Sequence, residues 1–127
     1  MPAKDEHIAQ AEHNRSFWGS FDLSSTPFLD WVVTGIFYEG VHWVEAFLET
    51  RGEHSDDHRQ RLITMMRNAE VASITADIET LKQESENARY RCYKYTPSDI
   101  TSDLIPTVDK IKSHIQGIFQ PPSSPRP

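Results

Sequence analysis

The chain has a single cysteine, Cys92, so it has no internal disulfide, which suits a reducing compartment. No basic segment followed by an apolar run opens it, which gives no sign of a signal peptide. Nor does any apolar stretch reach the roughly 18 residues that a membrane span requires. Together these absences make the cytoplasm the expected location and exclude a membrane partner. No internal repeat occurs, and no segment alternates at strand period. Gly-rich phosphate loops, Cys–His metal knuckles and nucleophile elbows are also missing. Positive charge is in short supply: 13 Lys and Arg stand against 19 Asp and Glu, a net charge of −6. Such a chain gains nothing from non-specific attraction to a phosphate backbone, so a general nucleic-acid coat is excluded.

What the chain does contain is large apolar side chains at helical spacing. Three Trp, six Phe and four Tyr in 127 residues supply one core but not two, so one domain is expected. The expected helices cover 4–21, 27–51, 55–70, 75–90 and 98–119, an all-α bundle of four to five helices. In the first, Ile8, Ala11, Trp18 and Phe21 share a face, and Arg15 is read as solvated. The second is the central element. Thr26 is placed to cap it, Pro27 fits its first position, and Gly52 suits a left-handed end. Apolar residues from Phe28 to Phe47 cover more than half its circumference, so it needs cover on several sides. Ser55 is read as the cap of the third helix, and Pro106 as a kink or delay in the last. The domain therefore spans 1–119, and the Pro/Ser-rich tail over 120–127 is expected to be disordered.

Three constellations could carry chemistry. In the first, Arg89-Tyr90-Arg91-Cys92-Tyr93-Lys94-Tyr95, cations alternate with aromatic rings at a helix end. Guanidinium forks grip phosphates and aromatic faces stack on bases. The plainer reading has Arg89 and Tyr90 bracing the helix end, where the dipole also favours cations. The second is His42, His54 and His58 with Glu39 and Glu45. His54 and His58 are four apart, and Glu39-x-x-His42 is half of a di-iron bundle motif. No second half-motif exists and Ser55 interrupts the pair, so polar residues in a helix seam and no metal are expected. The third is Arg51 with His58, a pair of types that can do acid–base work on RNA, but Gly52 and Ser55 lie between them. Cys92 has no base placed near it by sequence, so it is not read as a nucleophile.

The order of these residues resembles the HEPN family of nucleotide- and RNA-associated helical domains. The resemblance covers roughly residues 6 to 119. It rests on His7 and Glu12-His13-Asn14 in the first helix, then Asp30-Trp31, Phe37-Tyr38 with His42 and Ala46 in the second. A Gly-containing turn with His58-Arg59 follows, and Arg89-Tyr90 stands at the fourth helix end. The resemblance implies a four- to five-helix bundle, often dimeric; separately, no cofactor is expected. It also implies one of three roles: ribonuclease, toxin paired with a nucleotidyltransferase-like antitoxin, or non-catalytic nucleotide-binding module. The positions four to seven residues after Arg89 hold Tyr93, Lys94, Tyr95 and Thr96 and no His. Arg91 also stands where relatives commonly have Pro. The expectation is thus a non-catalytic module that binds a nucleotide, an RNA end or a protein partner, in a toxin–antitoxin or defence setting. Its ligand residues would be Arg89, Tyr90, Arg91, His42 and His58. The enzyme alternative is a metal-independent ribonuclease using Arg51 and His58. The structural alternative is a subunit that docks through its apolar second helix. A homodimer or hetero-complex is expected from that apolar helix, with Gly40 permitting close approach.

Overall fold

Apolar residues recurring three and four apart produce helices, and a computed structural model describes them over residues 3–120. In chain order they are α1 (Lys4–Gly19), α2 (Leu29–Thr50), α3 (His58–Arg67) and α4 (Thr75–Tyr90). A short α5 (Pro97–Asp99) then runs through a π-helical turn (Ile100–Leu104) into α6 (Ile105–Phe119). No strand occurs among the described residues, and no helix there is long and apolar enough to cross a membrane. The protein is an all-α helical bundle. Apart from Gln120, the expected disordered tail lies outside the described residues.

Successive long helices run antiparallel. His7 meets His42 and Phe17 meets Gly35 between α1 and α2, while Ile78 and Arg89 of α4 reach Gly40 and Tyr38 of α2. Lys110 of α6 then pairs with Asp77 of α4 at 3.0 Å. α2 lies at the centre, packed on α1, α4 and α6. Its Val32, Val33, Ile36, Trp43, Val44, Phe47 and Leu48 are almost wholly buried. A Cβ at Gly40 would stand 3.1 Å from Ile78 and Leu81, so this glycine serves the close α2–α4 contact within the chain. The apolar surface and the glycine that suggested self-association are therefore already used inside the bundle.

Several boundaries differ from the sequence reading, each for a local reason. α2 starts at Leu29 because Thr26 Oγ1 accepts from Phe28 N at 3.1 Å, closing a tight turn ahead of the helix. Its far end is as expected. Gly52 sits at φ +69°, and the bonds Gly52 N to Glu49 O and Glu53 N to Leu48 O close a Schellman motif. α3 starts three residues late: Asp57, not Ser55, is its cap, accepting from Gln60 N at 2.8 Å. Ser55 is buried instead. Pro106 causes no break. The π-helical turn directly before α6 widens the backbone where its ring would meet the preceding carbonyl, and helical geometry continues across it.

Candidate functional site

Among the described residues two carboxylates are buried, Glu39 and Glu45, and both oxygens of the deeper one, Glu39, are partnered. Glu39 of α2 is 0% exposed. It accepts from Trp18 Nε1 and Trp43 Nε1, each at 2.8 Å, and from Arg15 Nε at 2.9 Å. Arg15 also reaches Asp109 of α6 at 2.6 Å. It was read as solvated, but its guanidinium ties three helices together. Burial works against its charge, yet the bonds and charges of Asp109 and Glu39 outweigh burial and raise its pKa. Both Glu39 oxygens are occupied by protein donors. The Glu39-x-x-His42 half-motif is thus split between two structural roles.

His42 faces α1, not a cleft. Its Nδ1 lies 3.0 Å from His7 Nδ1, one ring donating and the other accepting. Burial, followed by the nearby charges of His7 and Arg61, lowers its pKa to about 4, so it is neutral at pH 7. His58 stands at the start of α3 with its ring edge-on to Phe37. Its Nδ1 is 3.0 Å from Arg61, and its Nε2 is 3.5 Å from Glu79. Arg61 is itself paired with Glu45 at 2.6 Å. Burial and the Arg61 charge hold the His58 pKa down, against the opposing pull of Glu79. His54 turns away to Asp56 at 2.9 Å. Among the described residues no group of three or more His, Cys, Asp or Glu side chains converges to hold a metal ion. Arg51 lies over the Phe47 ring and pairs with Glu70, so it shares no partner with His58.

Arg89 has quite different surroundings. It lies on the last turn of α4, where Nε donates to Ser85 O and Nη2 to Ser85 Oγ, each at 3.2 Å. Nη1 reaches the hydroxyls of Tyr38 at 3.4 Å and Tyr90 at 3.3 Å, and the guanidinium lies over both rings. Every acceptor is neutral. Among the described residues Arg89 forms no ion pair, whereas Arg15, Arg51 and Arg61 each have a carboxylate. Beside it a cleft of about 480 Å³ opens between the start of α2 and the segment after α4, lined by Asp30, Arg89, Cys92, Tyr93 and Lys94 among others. A smaller hollow of about 290 Å³ continues it past Trp31, Thr34 and Tyr90. Trp31 and Tyr90 are 52% and 72% exposed.

Sequence reasoning identified Arg89 and Tyr90 at this site and missed Trp31, Tyr38 and Asp30, which come from the facing helix. Arg91 points elsewhere, bonding Asn87 Oδ1 at 3.0 Å, and lines neither hollow. His42 and His58 line neither hollow as well. The backbone turns sharply at Cys92, which takes φ +54° and carries the chain from α4 across the cleft. Tyr95 closes the far wall by donating to Glu84 O at 2.8 Å, and burial together with Glu84 raises its pKa. Comparison with protein-family models, with curated proteins and with solved structures returned no match for this chain.

Proposed function

We propose that the chain is a non-catalytic HEPN-like module that binds a nucleotide or the end of an RNA in the cleft between α2 and α4. One observation carries this reading: Arg89 is held in place by neutral oxygens and aromatic faces and has no carboxylate partner among the described residues. Holding a guanidinium in this way fixes it without neutralising its charge, and one Nη2 N–H is left to donate to a phosphate. Trp31 and Tyr90 offer exposed faces for a base beside it. The size of the cleft is that of a small-molecule site.

Support for the non-catalytic part comes from the lining. In-line RNA cleavage needs a group to take the 2′-hydroxyl proton and a cation for the phosphorane. Arg89 supplies a cation, but no histidine lines the cleft. The test is titration calorimetry with nucleoside monophosphates and short RNA at low and high salt. Salt-sensitive binding is expected, lost in an Arg89→Ala, Tyr90→Ala double variant that still folds, with no cleavage above background. RNA cutting that His58→Ala abolishes in a folded protein would show the module to be an enzyme.

A further inference from the structure

We infer that Asp30 reads the base in this cleft and makes the site selective for guanine nucleotides. This rests on the nucleotide-binding reading above and assigns the ligand class within it. Asp30 lies in the first turn of α2, half-buried, and lines both hollows together with Arg89. Its carboxylate forms no ion pair among the described residues, although Arg89 and Lys94 line the same cleft. A carboxylate in a first helical turn is also what the dipole favours, which accounts for its charge. It does not account for an arginine that shares the lining and bonds Ser85 and two tyrosines instead.

The cleft therefore presents an unpaired cation and an unpaired anion to one ligand. A phosphate satisfies the first. The second, being ionised, accepts hydrogen bonds and donates none. Guanine offers it two adjacent donors, N1–H and the 2-amino group, at a spacing that suits the two carboxylate oxygens. Adenine offers one amino group beside an acceptor nitrogen, and cytosine does the same. Uracil offers one N–H flanked by two carbonyls, which a carboxylate repels. Trp31 and Tyr90 can hold the base plane while its edge is read.

The experiment compares GMP, IMP and AMP by calorimetry on the native chain and on Asp30→Asn. The native chain is expected to bind GMP about tenfold to a hundredfold more tightly than AMP. IMP, which keeps N1–H and lacks the 2-amino group, should fall between them. Asp30→Asn should weaken GMP and leave AMP unchanged or tighter, because an amide can both donate and accept. Equal affinity of the native chain for GMP and AMP would overturn the guanine assignment while leaving nucleotide binding in place. A GMP preference that survives Asp30→Asn would overturn the role of Asp30. Failure of all three nucleotides to bind would overturn both readings. The comparison on the native chain needs no variant to fold.

Discussion

Arg15 and Arg89 both sit against aromatic side chains of this bundle, and the difference between them separates a structural face of α2 from its candidate binding face. Arg15 lies over Trp18, 5.1 Å from the ring centre, and is locked between two carboxylates. Arg89 lies 4.9 Å from the Tyr90 ring centre and 5.8 Å from that of Tyr38 with none. Around Glu39 both carboxylate oxygens and both indole N–H groups are paired, so the network holds α1, α2 and α6 in register. Around Arg89 the charge is positioned but not compensated. The same residue types, an arginine with aromatic neighbours, serve to close one region and to open the other.

The contrast breaks first at Glu39. Glu39→Ala would leave two buried indole N–H groups without an acceptor and Arg15 with Asp109 alone, a loss of about 3–5 kcal/mol. Thermal and urea unfolding should show it as a large drop in stability or a failure to fold. Glu39→Gln retains acceptor oxygen and should cost less.

A smaller effect follows from pH. His42 titrates near 4 in the folded chain, chiefly because of burial, and near 6.5 when unfolded. Between those values the unfolded chain binds the extra proton. The stability is therefore full above pH 6.5 and is lost as pH falls towards 4. His58 is also shifted down and acts in the same direction. Melting temperatures recorded from pH 7.5 to 4.5 should fall, and His42→Gln should flatten the slope. An equal slope in the variant would place the proton uptake elsewhere.

Backbone strain at the cleft gives a still smaller signal. α2 ends on Gly52 at φ +69°, whereas the segment leaving α4 passes through Cys92 at φ +54°. Cys92→Gly should raise stability by up to about 1 kcal/mol, because a left-handed conformation costs a residue with a Cβ about 1–2 kcal/mol and glycine nothing comparable. The greater freedom of glycine in the unfolded chain offsets part of that gain. Smallest is Arg89→Ala, for which a stability change within about 0.5 kcal/mol is expected, because its bonds are long, at 3.2–3.4 Å, and buried Ser85 Oγ keeps its own bond to Lys82 O. Its effect belongs to binding. A loss of stability as large as that of Glu39→Ala would mean that Arg89 is a brace and not a ligand residue.

Much of the bundle is legible in the order of residues. The helical class, the central place of α2 and the left-handed end at Gly52 follow from periodicity and local backbone chemistry. Arg89 and Tyr90 were visible too, because an alternation of cations and rings at a helix end is a local pattern. Boundaries shifted where two residues competed for one role, as Asp57 displaced Ser55 at the start of α3.

What tertiary structure alone decided is which polar side chains face one another. Glu39 and Arg15 are 24 residues apart and Arg15 and Asp109 are 94 apart, and no spacing rule links such positions. Trp31, Tyr38 and Asp30 joined Arg89 only because α2 and α4 run antiparallel and place them across one groove. A helix periodicity specifies which residues share a face of their own helix. It carries no information about the rotation and direction of the helix opposite, and those two quantities set whether an arginine meets a carboxylate or an open cleft.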